Sequence, residues 1–560
     1  MAVPLYLAKK TPMLKDIFGY QFNTPYQKRV AYFSMEFAID QSLKIYSGGL
    51  GFLAGSHLRS AYELKQNLIG IGLLWKYGYY DQQRDTNGQM LAAKVEKQYS
   101  FLVDTGIVFT VPVHNYPVNV KAYLLRPETF GTAPLFLLST DVDDNDDMSR
   151  SITRQLYASN EATRIAQSII LGTGGAILLD TLGLTPDVYH MNEGHSVSLN
   201  FYLYDKFKSL PEVQKRVVFT THTPEMAGNE EHSYVILQDM QFFYNLQDHE
   251  VKKLLNMDGW GFNYTLAALK FARKANGVSK LHGKVAHDMW AGNKGVCEIT
   301  AITNAQNKRY WKDDILEQAF VQNEDSAITS RKKELKRELF KIVADQCGKL
   351  FRQDVLTLVW ARRFAGYKRA DLLMYDWERF VWLINNTEYP IQVIWAGKPY
   401  PEDFGAIGIF NSIITRTKPF ANCAVLTGYE LGLSATLKKG SDVWLNNPKM
   451  YREASGTSGM TAAMNGSINF SIPDGWIPEF ARNGENIFLI EPAEVSLPDG
   501  DKDRIENQHL MDVLENTILP MYYKDQFGWL EIMKTAAKEV VPQFESARMA
   551  DEYYNILYNA

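Results

Sequence analysis

At 560 residues the chain is long enough for more than one hydrophobic core. Its 59 basic and 64 acidic residues leave a net charge of −5, which excludes binding to nucleic acid or a membrane surface by bulk positive charge. The three cysteines, Cys297, Cys347 and Cys423, are scattered and provide neither a disulfide framework nor a zinc ligand set, so no metal is expected.

The N-terminal run MAVPLYLAKKTPMLKDIFGY lacks the apolar core and small-residue cleavage site of a signal peptide. The most apolar run, IAQSIILGTGGAILL (165–179), is short for a membrane span and interrupted by glycine. Both features lead us to expect a cytoplasmic protein.

In chain order, the first segment with chemical content is SGGLG (47–51), ahead of the helix-like FLAGSHLRSAYEL (52–64). Glycines let backbone N–H groups approach an anion, and a helix N-terminus adds positive potential. A tight, closely packed turn accounts for such glycines equally well. The acidic stretch DVDDNDD (141–147) lacks the glycine and closing glutamate of a calcium loop and reads as a solvated loop.

VYHMNEGHS (188–196) and TTHTPEMAGNEEH (220–232) carry histidines in polar turns. His190 and His195 lack the helical spacing of a metal pair and read as structural. His222 follows the strand-like VVFTTHT (217–223), where a sheet edge offers a ligand site. NGVSKLHGKVAHDMW (276–290) is rich in hydrogen-bonding groups, as sugar sites and ordinary loops both are.

Residues 326–351 form one long amphipathic pattern with Leu335, Leu339, Ile342 and Val343 on one face. The short β-branched runs VLTLVWA (355–361), IQVIWAG (391–397) and CAVLTGY (423–429) then alternate with helical periodicity, which predicts parallel sheets with crossover helices. In ARRFAGYKRADLL (361–373), Arg363 and Lys368 offer a fork and a point charge to one phosphate; on spacing alone a solvated basic surface is an equal reading. VWLNNPKMYREASGTSGM (443–460) is dense in amides, hydroxyls and glycines. We place the domains at 1–298, 299–525 and a helical tail at 526–560.

The order of YFSMEF (32–37), IYSGGLGFLAG (45–55), VYHMNEGH (188–195), TTHTP with AGN (220–229), NGVSKLHG (276–283), ARRFAGYKRA (361–370), VWLNNP (443–448), EASGTSGM (453–460) and RMADEYY (548–554) closely resembles the short-type α-glucan (glycogen/maltodextrin) phosphorylases, from about residue 28 to the C-terminus. The resemblance implies an α/β fold of the GT-B type: two Rossmann-like domains facing a cleft, with the C-terminal helix crossing back to the first. It implies reversible, configuration-retaining glucosyl transfer between an α-1,4-glucan and phosphate. Family members are often homodimers.

Carried over by position, Arg363 and Lys368 match phosphate ligands. Gly48 and Gly49 match a turn approaching substrate phosphate, and His222 matches the histidine beside the glucosyl ring. Asn304 and Glu453 match sugar-hydroxyl ligands. Ser455, Gly456 and Thr457 match the turn around the phosphate of pyridoxal phosphate. In the family that cofactor is held as an imine by a lysine, and its position here is Thr461. A hydroxyl cannot form an imine, so no covalent pyridoxal phosphate is expected. Noncovalent pyridoxal phosphate, a sugar phosphate or a nucleotide sugar remains open.

Other departures are Ser56, Glu225, Glu230, Ala305 and Asn307. The expectation is a retaining glucosyltransferase of this family. Its alternatives are a nucleotide-sugar-dependent GT-B enzyme, for which position 461 lacks the expected second glutamate, and a degenerate glucan-binding or regulatory protein.

Overall fold

The computed structural model describes residues 17–256 and 260–560. The segment in which no signal peptide is expected, residues 1–20, lies mostly outside that range. The chain divides into two compact units. One comprises Met1–Tyr79, Val95–Asn304 and Ser546–Ala560; the other comprises Tyr80–Lys94 and Ala305–Glu545.

The first unit is built on a nine-stranded sheet. Its strands are β1 (Val30–Phe33), β2 (Leu68–Leu73), β3 (Val103–Val113), β4 (Tyr116–Leu125), β5 (Leu135–Ser139), β6 (Val188–Asn192), β7 (Val217–Thr220), β8 (Lys274–Gly277) and β9 (Glu298–Ala301). The order across the sheet is β9-β8-β7-β6-β1-β2-β5-β4-β3. Pairings from β9 through β5 are parallel, and β3-β4-β5 close one side as an antiparallel meander. Every residue of β1, β2 and β6 is buried, which is why β1 and β2 are unbroken apolar runs rather than alternating ones, while β6 buries His190 and Asn192 as well.

The apolar run at 165–179 corrects the sequence reading. It belongs to one helical stretch, Glu161–Thr181, long and apolar enough by length and composition to cross a membrane, and mostly buried inside the protein. Its glycines serve close approach and do not end the helix. A Cβ on Gly172 would lie 2.5 Å from the Ser196 carbonyl, and one on Gly175 would lie 2.6 Å from the Phe33 ring. The acidic loop is also explained: Asp141 pairs with Lys76 at 2.9 Å and Arg150 at 2.7 Å, while Asp146 caps a helix through the Ser149 N–H.

The C-terminal residues from Ser546 pack within this unit. The Ser60 and Ser546 hydroxyls share a 2.6 Å hydrogen bond, and Gln66 Nε2 donates to the Ala550 carbonyl. His190 is structural, as expected: its ring nitrogens meet Tyr558 Oη at 2.6 Å and Thr220 Oγ1 at 2.7 Å. Beside it lies His57, fully buried against the rings of Tyr32 and Tyr553, with no hydrogen-bond partner for either ring nitrogen among the described residues.

The second unit has a six-stranded, wholly parallel sheet. Its strands are β10 (Leu356–Ala361), β11 (Ile391–Ala396), β12 (Cys423–Leu426), β13 (Val443–Asn446), β14 (Ile468–Ser471) and β15 (Phe488–Leu489), ordered β12-β11-β10-β13-β14-β15. The predicted long helix is α2 (Asp325–Cys347), ended by Gly348 in the left-handed conformation at φ +64°. Helices α3 (Leu431–Gly440) and α4 (Ser458–Ala463) follow β12 and β13.

The tail is not one helix. α5 (Gln526–Phe544) buries Trp529, Ile532 and Met533 in the core of the second unit, and an extended residue, Glu545, separates it from Ser546–Glu552. Helical periodicity runs through both pieces, and the signal for the break is Pro542, in the last turn of α5.

Burial lowers the His57 pKa from 6.5 to about 3, so the fold accepts only its neutral form. Its contribution is present above pH 6.5 and is lost as pH falls from there towards 3, at about 1.4 kcal/mol per pH unit. We expect His57→Phe to flatten the acid limb of stability by that slope relative to wild type, measured by urea denaturation at stepped pH.

Candidate functional site

In the second unit, β10 has β11 on one side and β13 on the other. The direction of winding reverses between β10 and β13, so the loops leaving their carboxyl ends emerge side by side, where α/β sheets bind ligands. The loop after β10 carries Arg362, Arg363 and Lys368; the loop after β13 carries Glu453, Ser455, Gly456 and Thr457.

Glu453 is the centre of this cluster. Lys368 Nζ lies 2.9 Å from Glu453 Oε2, and Arg362 Nη1 lies 3.4 Å from the same oxygen. Arg362 Nη2 also donates to Asn446 Oδ1 at 2.6 Å. Burial alone would raise the Glu453 pKa; Lys368, Arg362 and Arg363 outweigh it and hold the carboxyl below its usual value. Lys368 and Arg362 are buried, whereas Arg363 is exposed.

Asp474 holds the backbone beneath. Its carboxylate accepts from the Arg452, Glu453 and Gly475 N–H groups at 3.1, 3.0 and 2.8 Å. Burial pushes its pKa up to about 6 despite those bonds. Gly475, at φ +62°, could not carry a side chain, because a Cβ would lie 2.2 Å from the Ser455 carbonyl. Gly456 turns the chain at φ +86° into α4. Ser455 Oγ and Arg362 Nε are buried without a hydrogen-bond partner among the described residues. Two unsatisfied polar atoms beside an ion cluster mark a place for an oxygen-rich ligand.

Thr461 lies on α4, fully buried. Its Oγ1 donates back to the Ser458 carbonyl at 3.0 Å, and its own carbonyl accepts from Asn465 Nδ2 at 2.8 Å.

The first unit has its own reversal, between β1 and β6. The glycine turn after β1 opens α1 (Gly49–Glu63). Here the structure adds a residue that motif reading missed. Glu36 accepts from the Ser47 N–H at 2.6 Å, the Gly48 N–H at 3.1 Å and Tyr157 Oη at 2.8 Å. The Gly48 amide is therefore taken by a carboxylate, leaving the anion-approach role expected of it to Gly49 and the following amides of α1. A Cβ at Gly48 or Gly49 would meet nothing within 4 Å, so space stands open beside the turn.

After β6, Glu193 is held at φ +71° and accepts from the His222 N–H at 2.7 Å and the Gly194 N–H at 3.2 Å. Burial raises its pKa to about 7. His222 follows β7. Burial lowers its pKa to about 3, so the ring is neutral. Its Nε2 meets Asn192 Oδ1, an acceptor, at 2.7 Å, which places the proton on Nε2 and leaves Nδ1 as an acceptor. Asn304 is buried after β9 with no partner for Oδ1 among the described residues.

Of the other departures, Glu230 binds Arg164 Nε at 2.7 Å and His232 Nε2 at 3.1 Å, and Asn307 caps a helix through the Tyr310 N–H. Ala305 and Ser56 are buried. No cluster of three metal-binding side chains occurs among the described residues. Sequence reading assigned no role to Arg362, Asp474, Glu36 or Glu193, although Arg362, Glu36 and Glu193 lie inside the motifs ARRFAGYKRA, YFSMEF and VYHMNEGH.

Two Rossmann-like units with polar clusters at their sheet reversals define a protein of the glycosyltransferase and phosphorylase class. Residues 44–289 match the family described as starch synthase catalytic domain. The chain is 33% identical to maltodextrin phosphorylase of Thermococcus litoralis, over 96% of this chain and 72% of that protein. It is 31% identical to glycogen phosphorylase of Aquifex aeolicus, over 96% of this chain and 87% of that protein. An uncharacterized protein of Methanocaldococcus jannaschii is 45% identical, over 95% of this chain and 100% of its own length. The chain belongs to the maltodextrin and glycogen phosphorylase family.

Lys368→Met strips Glu453 of its nearer cation, and breaking a buried pair in this way costs about 3 kcal/mol. The deficit should be largest above the ordinary glutamate range and shrink as pH falls and Glu453 takes a proton. Chemical denaturation at neutral and acidic pH measures both.

Proposed function

We propose that this protein is a retaining glucosyltransferase that moves glucosyl units between an α-1,4-glucan and a phosphate-bearing donor or acceptor, without covalent pyridoxal phosphate. The observation that carries the reading is the charge balance after β10 and β13. Lys368, Arg362 and Arg363 all act on one buried carboxylate, Glu453, and leave positive charge in excess. That excess suits a phosphate, whose charge grows on the leaving oxygen as the glycosidic bond breaks.

The residues fit pyridoxal phosphate only in part. A turn with a buried, unpartnered Ser455 Oγ and Gly456 at φ +86° suits a phosphate group. Thr461 does not suit the aldehyde: it offers an alcohol that is buried and already hydrogen-bonded. No step of the proposed reaction passes through that cofactor.

In this reading Lys368 and Arg363 hold the phosphate, and Arg362 fixes Glu453 and Asn446. Glu453 accepts from sugar hydroxyls. In the first unit, taken by itself, the Nδ1 of neutral His222 and Asn304 Oδ1 are acceptors for sugar hydroxyls, and Gly49 presents an amide to an anion. Retention of configuration follows the family's chemistry. The likeness of residues 44–289 to a starch synthase domain favours a second reading within the same class, in which the phosphate belongs to a nucleotide sugar.

Thermal-shift titration with glucose 1-phosphate, ADP-glucose, UDP-glucose and a maltodextrin separates these readings. A bound donor raises the melting point by mass action. We expect a shift with at least one phosphate-bearing sugar, lost in Arg363→Ala and Lys368→Ala. A shift with maltodextrin alone would overturn the transferase reading in favour of a glucan-binding protein. A pyridoxyl adduct on the native chain after borohydride reduction would overturn the absence of an imine.

A further inference from the structure

The loop after β10 carries a further buried cation that the proposed chemistry does not use. Arg369 follows Lys368 directly and is 4% exposed. It ends the turn Gly366–Lys368 in the left-handed conformation, at φ +50°, which residues with a side chain rarely adopt. Such a state persists where the surroundings over-determine it, and here they do. Arg369 Nε donates to the Asn447 carbonyl at 3.0 Å, and Nη2 donates to the Pro448 carbonyl at 2.8 Å. Nη1 pairs with Asp503 Oδ1 at 2.8 Å and Nη2 with Glu506 Oε2 at 2.5 Å. In return, Asn447 Nδ2 donates to the Arg369 carbonyl at 2.8 Å, and Trp360 Nε1 holds the other end of the same amide at 2.9 Å.

These partners belong to two other segments. Asn447 and Pro448 begin the loop after β13, which carries Glu453. Asp503 and Glu506 lie on the helix Asp499–Val513, which Asn507 Nδ2 also ties to the Leu372 carbonyl at 2.7 Å. A guanidinium meets two carbonyls and two carboxylates at once through its flat fork of N–H groups; a lysine offers only a point charge. On the other side of Lys368, the Tyr367 carbonyl accepts from the Lys449 N–H at 2.8 Å. Both neighbours of Lys368 are therefore bonded to residues 447–449. Neither Lys368 nor Glu453 is itself among the side-chain partners of Arg369.

We propose that Arg369 is the positioning residue of the phosphate cluster: by locking the start of the loop after β13 to the residue beside Lys368, it sets the placement of Lys368 against Glu453. A buried pair such as this one, at 2.9 Å, gains from its charges only when its geometry is good. The consequence for phosphate binding rests on the reading of Lys368 as a phosphate ligand; the placement of Lys368 against Glu453 does not.

A double-mutant cycle on the Lys368–Glu453 pair, run in the native chain and in Arg369→Lys, tests this. Lys368→Met, Glu453→Gln and both together are unfolded with urea, and the coupling is read as a ratio of unfolding equilibrium constants. Arg369→Lys keeps a charge facing Asp503 and Glu506 and loses the fork on the two carbonyls. We expect the coupling in this background to fall several-fold, towards one. An anchor with no part in positioning lowers stability but leaves unchanged the coupling of a pair it does not touch. A coupling factor within about twofold of the native value therefore overturns the assignment. If Arg369→Lys does not fold, Asp503→Asn loosens the same fork while Glu506 still pairs with it, and the same two outcomes apply.

The second readout is titration with inorganic orthophosphate, followed by thermal shift. We expect Arg369→Lys, or Asp503→Asn in its place, to bind about tenfold more weakly than the native chain, because a small misplacement of a ligand group is costly. Equal affinity overturns the assignment. If orthophosphate leaves the native melting point unmoved, the phosphate reading of the cluster fails by itself, and the mutant cycle still decides the role of Arg369.

Discussion

Removing a carboxylate from water is so costly that each buried one must be given replacements for its lost hydration, and the candidate site is organised around that need. Glu453 receives them as cations, Lys368 and Arg362. The cations cannot be placed unless the loops after β10 and β13 leave adjacent strands, which the sheet order provides. The loop bearing Glu453 cannot hold its shape unless its N–H groups are also satisfied, and Asp474 does that. Gly475 lets the Asp474 turn approach the Ser455 carbonyl. One desolvated charge thus accounts for the sheet order, the turn and the glycine together.

A second solution to the same problem recurs in the first unit. Glu36 and Glu193, like Asp474, are met by backbone N–H groups: Ser47 and Gly48 for the first, Gly194 and His222 for the second. Each binds the backbone of a segment that carries an expected ligand residue: Gly48, His222 and Glu453. Amide donors stabilise the carboxylate without adding a formal charge, so they fix the turn while leaving local electrostatics negative. This explains why burial still prevails for Asp474 and Glu193, whose pKa values rise to about 6 and about 7, whereas Glu453, with its cations, shifts the other way. Position and charge are controlled separately: amides set the loops, and the cations around Glu453 set the local charge.

The sequence made the sheet architecture legible because buried parallel strands are short β-branched runs, as at 355–361 and 391–397, and their spacing by helices is periodic. Motif order singled out Lys368 and Glu453, which the structure brings into contact. It did not reveal Arg362 as a buried partner of Glu453, since adjacent arginines look alike until the strand end fixes which one faces inward. Asp474 was hidden for a different reason. It acts on residues about twenty positions earlier, through backbone groups that leave no trace in side-chain patterns. The continuous helix at Glu161–Thr181 was misread because glycine signals both chain breaks and close packing, and only the neighbours, Ser196 and Phe33, decide between them. The break after Phe544 had a sequence signal in Pro542, two residues earlier, which the helical periodicity of the tail masked.

The two chemistries that the family resemblance brings together, holding a phosphate and anchoring an aldehyde, make unequal demands on a fold. Phosphate needs donors and surplus positive charge, both of which many side chains and any free amide supply; losing one leaves the others. An imine needs one primary amine at one place, neutral enough to attack and close enough to reach. At 461 the chain has a secondary alcohol bonded to the Ser458 carbonyl, inside a helix whose neighbouring carbonyls are already claimed by Asn465 and Lys332. The phosphate cluster does not depend on that frame, because Glu453, Lys368 and Arg362 satisfy one another. In the proposed reading a chain can therefore lose the anchor and keep the clamp without reorganising either, because the two are physically independent.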